Sequence, residues 1–201
     1  FQVQLIAFTN MGCADTLVLP GLITVHPTPA AAFTTSGNAG CSPYPVAFTN
    51  NSTFLSGPTY NWIFGSGANA SAASPSYTYA DSGNYQVTLV IVNQEGCSDT
   101  ASANIQVNLT PTANAAMVNT LGCAPIVTSF SNLSLNADSI VWHFGDGTTS
   151  VDANPSHQYA AGNYNPFVVA YSNAGCRDTF MLPGQVVVHP VPTAAFTASQ
   201  N

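Results

Sequence analysis

Residues 85–92 read YQVTLVIV, and their apolar side chains fall at alternate positions. Tyr85, Val87, Leu89 and Ile91 would share one face of an extended strand, because successive side chains of a strand point to opposite sides. Clusters of glycine, asparagine, serine and proline separate such runs at intervals of about 8–12 residues, which is the spacing of a β-sandwich. The pattern predicts an all-β fold.

The same run recurs along the chain, together with the residues that follow it. Three segments align without gaps: FQVQLIAFTNMGCADT at 1–16, YQVTLVIVNQEGCSDT at 85–100 and YNPFVVAYSNAGCRDT at 164–179. GCSPYPVAFTNNS from Gly40 aligns likewise with GCAPIVTSFSNLS from Gly122. A period of about 80 residues is too long for a solenoid repeat and suits a small sandwich domain.

Proline-containing junctions mark the ends of the repeats. They read VHPTPAAAFTTS at 25–36, VNLTPTANAAMV at 107–118 and VHPVPTAAFTAS at 188–199. Proline fixes its own backbone and lacks an N–H donor, which suits a short, stiff junction. We therefore expect the C-terminal strands of one domain at 1–27, whole domains at 28–109 and 110–190, and the first strand of a further domain at 191–201.

Charged side chains are almost absent from this chain. They make up 4% of the residues, Arg177 is the single basic one, and the formal net charge is −7. Nucleic acid and an anionic membrane surface are therefore not expected partners, because almost nothing could neutralise phosphates. No apolar run reaches the ~20 residues of a membrane span, whereas a hydrophobic content of 46% supports a packed core.

The titratable residues do not form a recognisable catalytic or metal-binding set. None of the five cysteines sits in a C-x-x-C pair, and the four histidines are scattered, so a zinc site is not expected. Asp15, Asp99 and Asp178 recur at one position of the repeat, which favours a structural turn over a single catalytic centre. We expect no enzyme activity, no cofactor and no metal.

Four motifs in a fixed order resemble the PKD (polycystic-kidney-disease-type) domain family. They are WHFGDG at 142–147, NPSHQY at 154–159, GNY at 162–164 and NAGCRDT at 173–179. The first whole repeat is looser, with Ser66 in place of Asp146 and SPSYTY at 74–79. The resemblance implies tandem immunoglobulin-like β-sandwiches of seven or eight strands, arranged end to end. The cysteine-containing motif also resembles arrays in long secreted surface proteins of Bacteroidota, which are often exported by type IX secretion.

The sandwich fold gives the W-x-F-G-x-G motif a structural role. Trp62 and Trp142 are expected on strand C, packed between the sheets. Asp146 would stabilise the following turn by accepting a hydrogen bond from a backbone N–H two residues on, and Ser66 would do so more weakly. The alternative, a calcium ligand, lacks the several carboxylates that calcium requires.

The tyrosines and histidines near this motif are expected to be structural. Tyr79 and Tyr159 are candidates for a tyrosine corner, in which the hydroxyl bonds to the backbone. His143 and His157 are expected to lie at the surface or in side-chain packing, because neither recurs in the first whole repeat.

Three hydroxyl residues are candidates for O-glycosylation. Thr16, Thr100 and Ser139 each follow an aspartate and precede an apolar residue, which resembles the pattern used in Bacteroidota. Glycans there would supply the solubility that missing charges do not.

Two disulfide schemes are compatible with the cysteine positions. Cys41–Cys97 and Cys123–Cys176 would each lie within one predicted domain. However, strands B and F of an immunoglobulin-like sandwich run the same way, so a cysteine before B and one after F lie at opposite ends, and a disulfide needs Cα atoms within about 7 Å. We prefer a bond from Cys41 to Cys176 across the junction, with Cys13, Cys97 and Cys123 paired outside this chain segment.

These expectations favour a non-catalytic role outside the cell. The leading interpretation is the stiff shaft of an extracellular surface adhesin or filament, serving attachment, gliding or prey capture. Its partners would be further repeats of the same chain and sister copies of the shaft, as a homo-oligomer or filament bundle. The alternative is an accessory carbohydrate- or protein-binding PKD module of a secreted hydrolase.

Overall fold

The computed structural model describes residues 1–54 and 57–197, and within these ranges the regular structure is entirely β. The predicted all-β class is therefore confirmed. None of the described residues belongs to a helix that could cross a membrane. Of the predicted strand at 191–201, residues 198–201 lie outside the described part of the chain.

Twenty strands are found in the described residues. The first ten are β1 (Val3–Phe8), β2 (Ala14–Leu19), β3 (Phe33–Thr35), β4 (Ala39–Cys41), β5 (Tyr44–Asn50), β6 (Thr59–Ile63), β7 (Asn69–Ala70), β8 (Ser76–Tyr79), β9 (Gly83–Val92) and β10 (Ser98–Asn108). The others are β11 (Ala115–Val118), β12 (Leu121–Cys123), β13 (Ile126–Asn132), β14 (Ser139–His143), β15 (Thr149–Ser150), β16 (Ser156–Tyr159), β17 (Gly162–Tyr164), β18 (Phe167–Tyr171), β19 (Arg177–Met181) and β20 (Val186–His189).

The strands form antiparallel sheets with two parallel additions. β1 and β2 make an antiparallel hairpin. The larger sheets have the strand orders β3-β5-β8, β4-β10-β9-β6-β7, β11-β13-β16, β12-β20-β17 and β15-β14-β18-β19. The parallel pairs are β4 with β10 and β12 with β20, so each whole repeat adds its short early strand beside its last one.

Two compact units can be distinguished along the chain. The first comprises residues 1–37, 46–77 and 85–105, and the second comprises residues 38–45, 78–84 and 106–201. The domain limits at 28–109 and 110–190, which were derived from the repeats, stay a prediction.

The core of the first unit is aromatic and follows the predicted alternation. Val87, Leu89 and Ile91 are fully buried along β9. Trp62 packs against Phe48, with ring centroids 5.5 Å apart. The period of two in residues 85–92 thus places one face of the strand against the core, as the sequence predicts.

The core of the second unit is also built around a buried tryptophan. It consists of Ala113, Ala115, Ile126, Phe130, Ile140, Trp142, Phe144, Tyr159, Val168, Ala170, Leu182, Val186 and Val188. Trp142 lies against Phe130, with ring centroids 5.3 Å apart.

Residues 110–190 hold ten strands rather than the seven or eight that the resemblance implies. The single long β9 corresponds here to β17 and β18, separated around Pro166. The single long β10 corresponds to β19 and β20, separated around Pro183. Proline has no N–H to donate to a ladder, so it interrupts the two longest strands of the repeat.

Candidate functional site

Trp62 and Trp142 occupy equivalent places in the two cores. Both are fully buried, on β6 and β14 respectively. The indole N–H of Trp62 donates to the carbonyl of Ala72, and that of Trp142 donates to the carbonyl of Asp152, each at 3.0 Å. Each indole therefore has its polar atom satisfied inside the fold, which is the arrangement of a core residue.

The turn after β14 has a backbone geometry that requires glycine. Gly145 and Gly147 have φ angles of +86° and +93°. A Cβ on Gly145 would lie 2.8 Å from the backbone nitrogen of Asn165, whereas nothing lies within 4 Å of one on Gly147. The N–H of Phe144 donates to the carbonyl of Thr148 at 3.1 Å and closes the turn.

The carboxylate of Asp146 makes three short polar contacts at this turn. Its Oδ1 accepts from the backbone N–H of Thr148 at 2.9 Å and from the Thr148 hydroxyl at 2.6 Å. Its Oδ2 lies 2.7 Å from Nε2 of His157. Partial burial raises the pKa of Asp146, but the hydrogen bonds from Thr148 and His157 and the attraction to His157 outweigh it, and the pKa falls to about 2. The bond two residues along the backbone is the kind that the turn motif requires.

Both histidines that flank this turn lie in aromatic packing. The ring of His157 stacks on Phe144, with centroids 4.1 Å apart and planes 2° apart, and meets Tyr159 edge-on at 4.6 Å. His143 stacks on Phe167, with centroids 4.3 Å apart. The ring of His157 is thus fixed by packing on two sides while its Nε2 reaches the carboxylate.

The preceding repeat holds a neutral pair at the same two positions. The hydroxyl of Ser66 donates to the hydroxyl of Tyr77 at 2.8 Å. Tyr77 stacks on Phe64 with centroids 4.5 Å apart, as His157 stacks on its own phenylalanine. One repeat therefore carries an acid and a histidine where the other carries two hydroxyls. Asp146 and His157 are both replaced in the preceding repeat, and this joint replacement is a sequence signal that the two positions are in contact. Comparing the repeats one position at a time does not reveal it.

The described part of the chain contains no group of three or more histidine, cysteine, aspartate or glutamate side chains placed to hold a metal ion. The turn of the first whole repeat has Ser66 where the second has Asp146, so only the second turn offers a carboxylate at this position.

Tyr79 and Tyr159 are buried at equivalent positions, each about 1% exposed. The hydroxyl of Tyr159 donates to the carbonyl of Phe144 at 2.9 Å. Burial is the chief cause that raises the pKa of Tyr159. Nearby, Tyr164 donates to the carbonyl of Ala160 at 3.2 Å. The hydroxyls of Tyr159 and Tyr164 therefore both bond to backbone carbonyls.

Two of the three aspartates that follow the repeated cysteines form hydrogen bonds to distant parts of the chain. Oδ2 of Asp99 accepts from the N–H of Ala31 at 2.7 Å, and Oδ2 of Asp178 accepts from the N–H of Ala113 at 2.9 Å. The bond from Ala31, with one from the next backbone N–H, lowers the pKa of Asp99. Asp15 accepts from the backbone of the next residue at 2.9 Å. The partners of Asp99 and Asp178 lie at the start of their own repeats. The sequence pattern identified the repeated aspartate position but not these hydrogen-bond partners.

Cys41 and Cys176 form a disulfide, with Cα atoms 5.6 Å apart and a sequence separation of 135. Cys41 ends β4 and Cys176 directly precedes β19, and both belong to the second compact unit. Cys13 and Cys123 are free and exposed, and Cys97 is free and half-buried. Of the two schemes that the sequence leaves open, the structure contains the bond between Cys41 and Cys176.

The candidate glycosylation residues lie on three different strands. Thr16 is on β2, Thr100 on β10 and Ser139 on β14, and all three are exposed. Their modification stays a prediction.

Comparisons with known proteins identify the repeats. The family described as PKD domain matches residues 24–107 and 108–182. A stretch of 55 residues, 27% of this chain, is 40% identical to the pre-pro-metalloprotease PrtV of Vibrio cholerae serotype O1 (strain M66-2). That stretch covers 6% of the PrtV protein, so the chain spans only a small part of this curated relative.

Two solved structures are similar to 41% of this chain. The PKD1 domain from Vibrio cholerae metalloprotease PrtV is 30% identical, with 41% of this chain and 99% of that chain covered and a TM-score of 0.37. The PKD1 domain of Vibrio anguillarum Epp is 28% identical, with 41% of this chain and 96% of that chain covered and a TM-score of 0.37.

Proposed function

Because this chain belongs to the PKD-domain family, we propose that it is a non-catalytic repeat segment in the stiff shaft of an extracellular surface adhesin or filament. The observation that carries the proposal is the disulfide between Cys41 and Cys176. Cys41 lies in the first matched segment and Cys176 in the second, so the bond links two consecutive repeats covalently. A cross-link in addition to the backbone restricts how two repeats can separate, which is useful in a shaft.

The recurring polar residues support an architectural role. Asp99 and Asp178 each satisfy a backbone N–H at the start of their own repeat. Asp146 and Ser66 each take a partner from the second strand after the turn, which is β16 for Asp146 and β8 for Ser66. Groups that are engaged within the fold in this way stabilise strand ends and turns, and they are not held open for a substrate.

The free cysteines extend the proposal to repeats beyond this segment. Cys13 and Cys97 hold the repeat position of Cys176, and Cys123 holds that of Cys41. We propose that each pairs with the complementary cysteine of a flanking repeat. Two thiols form one disulfide by losing two protons and two electrons to an oxidised dithiol of the secretory pathway, which is thereby reduced.

Sister copies of the same shaft are the proposed partners. With 4% charged residues, two such surfaces can approach with few ions to desolvate. Attachment, gliding or prey capture would be the tasks of such a bundle, and a Bacteroidota source with type IX export is part of this proposal. O-glycans at Thr16, Thr100 and Ser139 would keep an uncharged shaft soluble.

The similarity to PrtV favours a second candidate, an accessory carbohydrate- or protein-binding module of a secreted hydrolase. Carbohydrate platforms commonly use exposed aromatic rings, for which face stacking supplies the binding energy. Of the phenylalanine, tryptophan and tyrosine rings among the described residues, the exposed ones belong to phenylalanines, at Phe1, Phe8, Phe54 and Phe196. Both tryptophans and all eight tyrosines of this chain are buried or half-buried. For this reason we rank the shaft above the binding module.

Electron microscopy of the parent protein tests the proposal. We expect straight rods whose length grows with the number of repeats and which bend more after treatment with a reductant. Binding of the 201-residue chain on a glycan array, together with parent particles that show no rod, would favour the accessory module instead.

A further inference from the structure

We propose that the Cys41–Cys176 disulfide is a tension bypass: force applied to the two ends of the chain passes through the sulfur–sulfur bond and leaves the residues between the cysteines unloaded. This inference deepens the proposed shaft function and rests on it for its biological use. Its physical content concerns only the present chain.

The disulfide closes a covalent loop around most of the chain. A sequence separation of 135 leaves 134 residues between the two cysteines. All strands from β5 to β18 fall inside the loop, and both buried tryptophans lie there too. Strands β1 to β3 lie before Cys41, which ends β4, and β19 and β20 lie after Cys176.

Tension follows the shortest covalent path between the points at which it is applied. From the N-terminus that path runs along the backbone to Cys41, crosses to Cys176, and continues to the C-terminus. Of the 201 residues, the 134 inside the loop are absent from this path, which leaves 67. The loop residues are therefore not stretched while the bond is intact, whether or not their hydrogen bonds would resist force.

The bypass sets a limit to extension. At about 3.3–3.6 Å per extended residue, the oxidised chain reaches roughly 220–240 Å, and the reduced chain gains roughly 440–480 Å more. Force on the oxidised chain acts first on elements outside the loop. It can pull β3 from β5, and it can pull β19 and β20 from their partners β18, β12 and β17.

A chain without this bond would respond differently. Each sandwich would lie on the force path and would unfold in turn, so the segment would lengthen several-fold under load. With the bond, the loop residues around both tryptophans are protected from the load, and extension is limited to the residues outside the loop. A shaft made of such segments would lengthen less under load than one without the bond.

Single-molecule force spectroscopy on the full 201-residue chain tests the bypass. The handles are attached enzymatically at the termini, and the background variant carries Cys13→Ser, Cys97→Ser and Cys123→Ser so that no free thiol can exchange with the bond. At constant force we expect extension to stop near 220–240 Å. Addition of dithiothreitol, which reduces the disulfide and closes to its own cyclic disulfide, should release a further 440–480 Å or so.

The timing of that release tests whether the loop stays folded. If the loop residues are unloaded and folded, release follows reduction in delayed, discrete unfolding steps. One immediate jump at reduction would overturn the protection, and full extension without a reductant would overturn the bypass itself.

The matched control is the same background with Cys41→Ser added, which should reach full length without a reductant. Should that variant fail to fold, the reductant step on the background chain still decides the matter. Because the chain is tested alone, a failure here leaves the shaft proposal standing, and an absence of rods in the parent protein leaves the bypass standing.

Discussion

His157 Nε2 and Asp146 Oδ2 lie 2.7 Å apart across the turn that follows the buried tryptophan. In the preceding repeat the same two positions hold Tyr77 and Ser66, whose hydroxyls lie 2.8 Å apart. The stacked ring beneath each pair is kept, while the charge on the pair is not. Because both kinds of pair occur at the same place in the repeat, we infer that the pair stabilises the turn. Only the pair in the second repeat contains a carboxylate, so only that turn should lose stability when Asp146 is protonated.

The charge of Asp146 should make the stability of its repeat depend on pH. Its pKa of about 2 in the folded chain is below the value of about 4 expected when unfolded. The stabilisation is therefore present above pH of about 4 and is lost as the pH falls toward 2. Replacing Asp146 by Asn should lower the free energy of unfolding by about 1 kcal/mol at pH 6, after allowance for solvent screening, and by almost nothing at pH 2.

Urea denaturation at the two pH values measures this difference. Ser66→Ala, which changes the equivalent residue without removing an ionisable group, is the matched control and should show no such pH dependence. An Asp146→Asn effect of equal size at both pH values would contradict the assignment.

The two positions of the turn should be energetically coupled. In a double-mutant cycle, Asp146→Ser and His157→Tyr together imitate the preceding repeat, in which the neutral pair bonds directly. We expect a coupling energy of about 0.5–1 kcal/mol, with the double variant more stable than the two single losses predict. Thermal unfolding of the four proteins measures it, and effects that add to within about 0.3 kcal/mol would argue against a functional pair.

The recurring aspartate should hold the start of each repeat in place. Asp178→Ala leaves the N–H of Ala113 without its partner and should cost about 1–2 kcal/mol of stability. Hydrogen–deuterium exchange at the Ala113 amide should accelerate in this variant. The comparison is Asp15→Ala. Among the described residues, the Asp15 side chain accepts one hydrogen bond, from the neighbouring N–H of Thr16, so this change should be close to neutral. An unchanged exchange rate at the Ala113 amide would show that its hydrogen bond to Asp178 contributes nothing to stability.

The two glycines of the turn should differ in their tolerance of alanine. Both have positive φ, so any side chain costs about 1 kcal/mol of backbone strain. Gly147→Ala should cost about that much, because the space beside it is open. Gly145→Ala should cost more, about 2–4 kcal/mol, because its Cβ would meet the backbone of Asn165. Equal losses in chemical denaturation would contradict the close approach.

Much of this fold is legible in the sequence because its signals are local and repeated. The alternation in residues 85–92 and the recurrence of Trp62 and Trp142 depend on short-range geometry. The structure buries both tryptophans together with Val87, Leu89 and Ile91, and it leaves Tyr85 half-buried. The tie between Asp178 and Ala113 joins residues 65 positions apart, and nothing in the local pattern names the partner. The break between β17 and β18 at Pro166 follows from the rule that proline cannot donate to a β-ladder. That rule can be applied only once the surrounding residues are known to form a strand.

The contact between Asp146 and His157 shows a different limit of sequence reasoning. The two residues are 11 positions apart on the turn and on a following strand, so their meeting depends on the register of strands that the sequence does not specify. Comparison of the repeats contains the necessary hint, because both positions change together. A single exchange between two repeats supports a hypothesis of contact, and the structure supplies the distance.

Disulfide mapping of the native, unreduced protein is the most direct test of the account. Free thiols are first blocked by alkylation, and the chain is then digested with chymotrypsin without reductant and analysed by mass spectrometry. We predict a cross-linked peptide pair containing Cys41 and Cys176. Recovery of Cys41 joined to Cys97, or of Cys123 joined to Cys176, would contradict the covalent link between consecutive repeats on which both the shaft and the tension bypass depend.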